Sequence, residues 1–249
     1  MSETQAARPV ALITGAAKRV GSVIARTLHE AGFDLTLHYR GSGAAMDALR
    51  ADLEAARAGS TCAVQAELGE IDKLPELVHS CMQRFGRLDA LINNASAFYP
   101  TPVGSVTVQQ WQELFASNAQ APFFLAQAAA PHLKSVQGSI VNMVDIYAER
   151  PLPEHPVYSM AKAALAMMTL ALAKELGPDV RVNGIAPGAV LWPEAGKSYA
   201  DQQELVARSA LKRAGTPQDV AAAVLFLVRD AKFTTGTILK VDGGRALVI

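Results

Sequence analysis

The feature that most constrains this chain is a rhythm. Short apolar runs of strand length alternate with longer stretches of helical pattern along the sequence. The strand candidates are 9–15 (PVALITG), 33–39 (FDLTLHY), 61–68 (TCAVQAEL), 88–95 (LDALINNA), 139–145 (SIVNMVD), 180–188 (VRVNGIAPG) and 236–244 (GTILKVDGG). Most are apolar at both alternating positions, as a parallel strand covered by helices on both faces requires. Helical patterns fill 20–31, 43–57, 70–85, 107–133, 155–177 and 217–230. This βαβα order predicts an α/β fold, a doubly wound parallel sheet of about seven strands with helices on both faces. With no linker, repeat or low-complexity segment, residues 1–249 read as one domain. Only 190–213 breaks the rhythm. A long insertion before the last helix predicts a loop over a site.

Composition narrows the function classes. Lys plus Arg number 23, as do Asp plus Glu, so no global charge points to nucleic acid or an anionic membrane. Cys62 and Cys81 have no metal-ligand spacing and read as free thiols in a reducing compartment. No metal site is expected. The N-terminus lacks a basic segment followed by an apolar stretch. ALAMMTLALA falls short of the roughly 20 residues of a membrane span and reads as a buried helix. The expectation is a cytoplasmic protein.

The first strand runs into ITGAAKRVGSVIA, with Thr14, Gly15, Arg19, Val20 and Gly21 in a turn before a helix. In a Rossmann-type unit that turn lets the backbone approach a pyrophosphate at the helix N-terminus; taken alone it is equally an ordinary turn. The second strand ends LHYRGS, where an NAD site carries an acidic residue for the ribose 2′-hydroxyl. Here stand His38, Tyr39, Arg40 and Ser42. Cationic and hydroxyl donors at that point suit a 2′-phosphate, so NADP(H) is expected; the other reading is an exposed basic turn. Ala66, Glu67 and Leu68 close the third strand where an adenine edge would lie, and Asn93, Asn94, Ala95 and Ser96 close the fourth.

Tyr158 and Lys162 stand at i and i+4 on one helical face. A nearby ammonium favours a phenolate and brings a tyrosine into range for proton exchange. The T-G-x-x-x-x-x-G turn, NNAS, SNAQAP with Asn118, YSMAK, RVNGIAPGAV and the closing VDGG together resemble the short-chain dehydrogenase/reductase family over nearly the whole chain. The resemblance implies that Tyr158 is the general acid or base. It implies that Lys162 lowers the tyrosine pKa and bonds the nicotinamide ribose, and that Asn118 helps hold a water-linked relay. Pro187 and Gly188 would lie beside the nicotinamide.

Three departures sharpen this. Arg19 stands where most of the family has glycine, Asp145 where most have serine, and SAFYPTP follows the asparagines. All three are similar to pteridine reductases, short-chain reductases of pterins and folates. That likeness implies a flat substrate stacked on Phe98, with Arg19, Ser96 and Asp145 as further contacts and Asp145 sharing proton delivery to a ring C=N with Tyr158. Read singly, Asp145 is a loop cap, Phe98 a packing residue and Arg19 a phosphate partner. Val190 stands where pteridine reductases usually have serine. Trp192 and Tyr199 line the site or anchor the insertion. The alternatives are a carbonyl or 3-oxoacyl thioester reductase with an atypical aspartate, and a catalytically idle binding protein. Surplus apolar faces on the helices at 107–133 and 155–177 suit pairing with the same helices of other subunits; the family resemblance implies dimers or tetramers from such pairing, and a homotetramer is expected.

Overall fold

The computed structural model describes residues 8–188, 190, 206–207 and 209–248. Its strands are β1 Val10–Ile13, β2 Asp34–Tyr39, β3 Thr61–Gln65, β4 Ala90–Asn93, β5 Ser139–Met143, β6 Arg181–Pro187 and β7 Ile238–Val241. They form one sheet in the order β3-β2-β1-β4-β5-β6-β7, with every neighbouring pair parallel. The chain builds outward from β1 to β3, then returns beside β1 and builds the other way. The reversal opens a crevice at the carboxyl ends of β1 and β4, where open α/β sheets bind ligands.

Seven α-helices are seen among the described residues: α1 Arg19–Glu30, α2 Gly43–Ala56, α3 Leu74–Phe85, α4 Val108–Phe115, α5 Ala121–Lys134, α6 Pro156–Leu176 and α7 Pro217–Leu225. Alternate residues of each strand feed opposite cores. Ala11 and Ile13 of β1 pack with Ile24 and Leu28 of α1, Met46 of α2 and Val224 of α7. Val10 and Leu12 face the other way, toward Leu77 of α3 and Leu125 and Ala129 of α5. The two-sided burial expected of parallel strands is therefore present.

The apolar runs overshoot the strands. Thr14–Gly15, Asn94–Ala95, Val144–Asp145 and Gly188 belong to the runs but lie beyond the ladders. They form the loops of the crevice, so the overshoot is the site. The single helix expected over 107–133 is α4, a π-turn Ala116–Gln120 and α5. One wide turn inserts without breaking the apolar periodicity, so the sequence pattern does not reveal it. The stretch 70–85 begins as a 3₁₀ turn, Ile71–Lys73, before α3, and α7 runs on into a π-turn, Phe226–Asp230. Most of 190–213, including Trp192 and Tyr199, lies outside the described residues; Val190 is buried in the α1–α7 core. Among the described residues α6 alone has the length and apolarity of a membrane span, yet its Tyr158, Lys162, Leu165 and Thr169 are buried within the domain.

Candidate active site

The β1–α1 turn is held from beneath by β4. Thr14 Oγ1 accepts the backbone N–H groups of Asn94 and Ala95, each at 3.0 Å. Asn94 Nδ2 donates to the carbonyls of Thr14 and Gly15, at 2.9 and 3.1 Å. Two glycines are required here. Gly15 has φ +63°, and a Cβ on Gly21 would stand 2.2 Å from the Gly15 carbonyl oxygen. Arg19, the first residue of α1, has φ 55°. That left-handed conformation costs a Cβ-bearing residue about 1–2 kcal/mol, which accounts for the glycine most of the resembling family places there.

An open cleft of about 450 Å³ lies over this turn. Gly15, His38, Tyr39, Arg40, Ser42, Glu67, Leu68, Ala95 and Ser96 line it, as does Lys18. Sequence reasoning missed Lys18, although an adjacent Lys-Arg pair inside a glycine turn is a visible signal. Arg19, Val20, Gly21 and Asn94 do not line the cleft: Val20 packs on the core, and Gly21 and Asn94 close-pack and tie the turn. His38 lines the cleft with both ring nitrogens engaged. Nδ1 accepts the Gly15 N–H at 3.1 Å, so Nε2 carries the proton and donates to the Ala66 carbonyl at 3.1 Å. Burial pushes its pKa down, so His38 shapes the turn as a neutral ring. Arg40 is largely exposed, 3.9 Å from Glu67.

Asp145, Tyr158 and Lys162 come together across β4, at the end of β5. The Tyr158 hydroxyl donates to Asp145 Oδ2 at 2.7 Å. Asp145 Oδ1 accepts the Tyr147 N–H at 3.0 Å and caps the short turn Ile146–Ala148. Capping and contact with the tyrosine were separate readings of Asp145; one carboxylate does both. Burial raises its pKa, against the Tyr147 N–H, the Tyr158 hydroxyl and the charges of Lys162 and Arg245. Lys162 is 1% exposed and donates to the Met143 carbonyl at 2.8 Å. Its Nζ lies 5.7 Å from the Tyr158 ring centroid. Burial lowers its pKa to about 8, with Asp145 opposing.

A buried chain fixes α6 against the sheet. Asn93 Nδ2 donates to Asn142 Oδ1 at 2.8 Å, Asn142 Nδ2 to Thr169 Oγ1 at 2.9 Å, and Thr169 Oγ1 to the Leu165 carbonyl at 2.8 Å. Asn118, in the π-turn, donates to the carbonyls of Ala97 and Leu114 at 2.8 and 2.9 Å. Its Oδ1 accepts the Ser96 hydroxyl at 2.7 Å. Its side chain therefore locks the loop after β4, and Ser96 links the cleft to the tyrosine side. Phe98 meets Tyr158 edge-on at 4.8 Å and stacks on His155 at 4.6 Å. His155, which the linear sequence does not mark, thus covers one face of the ring expected to stack on a substrate. Pro187 ends β6 and Gly188 donates to the Val241 carbonyl at 3.0 Å. Among the described residues no cluster of His, Cys, Asp and Glu has metal-binding geometry.

A family model described as enoyl-(acyl carrier protein) reductase matches residues 15–246. The chain belongs to the short-chain dehydrogenase/reductase family. The chain is 37% identical to pteridine reductase 1 of Leishmania tarentolae over 285 aligned positions, covering 98% of each chain. It is 33% identical to 3beta-hydroxysteroid dehydrogenase 1 of Eggerthella lenta, over 95% of this chain and 93% of that one. It is 31% identical to the 3-oxoacyl-[acyl-carrier-protein] reductase of Synechocystis sp., over 96% and 97%. Members with different named substrates thus match along nearly the whole length, and the oxidoreductase class is shared. Of the residues singled out in the sequence, Asp145 bonds Tyr158 and Arg19 opens α1.

Proposed function

We propose that this protein reduces dihydropterins or dihydrofolate to their tetrahydro forms with NADPH. The observation that carries the reading is the 2.7 Å hydrogen bond from Tyr158 to the Asp145 carboxylate, in the position where the family usually has a neutral serine hydroxyl. A carbonyl reductase needs a neutral donor beside its tyrosine; reducing a ring C=N needs a proton delivered to nitrogen. The full-length likeness to a pteridine reductase supports the same choice.

The residues present fit a dinucleotide. The turn is glycine where a Cβ would fill it, and Lys18, Arg40 and Ser42 line the cleft at the end of β2. Cations there favour a 2′-phosphate. When bound, the nicotinamide supplies the hydride. Lys162 would hold the ribose, and Pro187 and Gly188 would flank the ring. The chain's own part is the proton. As the C=N carbon gains a hydride, the ring nitrogen takes a proton from the Tyr158 hydroxyl, and the Asp145 carboxyl, its pKa raised by burial, exchanges protons with that hydroxyl. Asn118 would hold a water in the relay by which the pair recovers its proton. Phe98 offers a flat wall shared with His155, and Arg19, Ser96 and Trp192 would complete the substrate contacts.

NADPH oxidation with dihydrobiopterin or dihydrofolate, run beside acetoacetyl thioesters, tests the reading. Turnover of the thioester alone would replace it with a 3-oxoacyl reductase. No cofactor binding in a fluorescence titration would point to an idle binding protein. Asp145→Ala with undiminished dihydropterin turnover would remove the aspartate from the mechanism. The protein would act in the cytoplasm as a homotetramer. Exposed Phe123 on α5 and Met160, Met167 and Leu170 on α6 supply apolar surface for subunit contacts.

A further inference from the structure

The cleft over the β1–α1 turn holds charges of both signs. Among its described lining residues Lys18 and Arg40 are cationic, and Glu67 alone is anionic. Glu67 follows β3 and Arg40 follows β2, and Arg40 Nη1 lies 3.9 Å from Glu67 Oε2. The backbone beneath the pair is tied across the two strands. The Gln65 amide donates to the Arg40 carbonyl at 2.8 Å, the Ala66 N–H to the Tyr39 carbonyl at 3.1 Å, and His38 Nε2 to the Ala66 carbonyl at 3.1 Å. Both side chains therefore start from fixed points. Glu67 Oε1 accepts the Gly69 N–H at 3.4 Å, while Oε2 is the oxygen near Arg40.

The pair is loose. The Arg40 and Glu67 side chains are 76% and 51% exposed, and an exposed ion pair contributes little to holding either partner. Glu67 thus does not clamp the guanidinium. It stands beside it as a competing anion. A phosphate monoester carries roughly −1.5 to −2 charge at pH 7, whereas a ribose 2′-hydroxyl carries none. Cations at the end of β2 favour the phosphate. A carboxylate beside one of them works the other way, by repelling the phosphate and by drawing on the same guanidinium.

We propose that Glu67 is a specificity-determining residue of this cleft: through Arg40 it holds down the preference for a 2′-phosphate over a 2′-hydroxyl. The protein then accepts NAD(H) more readily than Lys18 and Arg40 alone would allow. The proposal rests on the reading of the cleft as a dinucleotide site. It depends neither on the substrate reduced nor on Asp145, so its test uses binding rather than turnover.

The full chain is titrated calorimetrically with NADP+ and with NAD+. Glu67→Gln keeps the length of the side chain and an oxygen for the Gly69 N–H, and removes the charge. It is expected to raise the ratio of NADP+ to NAD+ affinity by about threefold at low salt, the size of one exposed ion pair, chiefly by tightening NADP+. In 1 M salt, where screening acts beyond about 3 Å, the gain should largely vanish. In an Arg40→Met background the same substitution should move the ratio clearly less. An unchanged ratio overturns the proposal. A lowered ratio overturns it too, because Glu67 would then be a support for Arg40. Equal losses of both dinucleotides overturn it as well, since they mark a contact with the part the two share. A gain of the same size without Arg40 overturns the route through that residue. A wild type that binds neither dinucleotide ends the reading of the cleft and the proposal with it. A wild type that prefers NAD+ ends the NADPH reading alone, and the shift in ratio still decides the role of Glu67.

Discussion

Lys162 carries two opposite pH dependences. Its pKa is about 8 in the fold against an ordinary 10.5. Between those values the unfolded chain binds a proton that the folded one does not, so stability rises with pH across that window and is lost as pH falls through about 8. The charge that supports Tyr158 disappears over the same range. Urea midpoints are therefore expected to rise from pH 8 to 10 while the rate of the proposed reduction falls, and Lys162→Met should abolish both trends. Arg19 makes a second test. Arg19→Gly relieves the strain at φ 55° but adds unfolded-state freedom, and the two effects are of similar size. Folding stability should stay within about 1 kcal/mol of wild type while KM for NADPH or the dihydropterin rises at least several-fold. An unchanged KM would leave Arg19 without a binding role.

At the scale of elements, the π-turn between α4 and α5 places Asn118 where one amide can reach Ala97, Leu114 and Ser96. Asn118→Leu would leave two carbonyls and a hydroxyl without that partner in a buried setting. A loss of about 2–3 kcal/mol is expected from denaturant unfolding, with a raised KM as the loop bearing Ser96 and Phe98 comes loose. A neutral Asn118→Leu would show that water replaces the amide. The same scale explains why Tyr158 meets Asp145. Pro156 starts α6, the Thr101 N–H donates to the Glu154 carbonyl at 2.6 Å, and the Asn93–Asn142–Thr169 chain fixes the helix along its length. Pro151, Pro153 and Pro156 stiffen the 145–158 segment by fixing φ at three positions. The structure adds the cross-loop bond that sets where the segment goes.

For the whole molecule, the doubly wound sheet brings the ends of β1, β2, β4 and β5 together, although residues 15, 40, 96 and 145 are far apart in the chain. The apolar residues left exposed on α5 and α6 form the proposed subunit contact. Sedimentation of the wild type should give a tetramer, and Met167→Glu combined with Leu170→Glu a smaller species. A monomeric wild type would end that proposal.

The alternation of apolar runs and helical patterns determined the α/β class, because two-sided burial of parallel strands leaves a continuous apolar record in the sequence. The glycine turn, the Tyr-x-x-x-Lys pair and Asp145 were legible for a related reason: their chemistry requires particular residue types at short, fixed spacings. Lys18 was legible in the same way and was overlooked. Other features were decided by tertiary structure alone. Neither the neutral double engagement of His38, nor the stack of His155 on Phe98, nor the tie from Asn118 to Ser96 leaves a local pattern. Each joins residues through space across separate elements, so their positions depend on the packed sheet rather than on neighbours in the sequence.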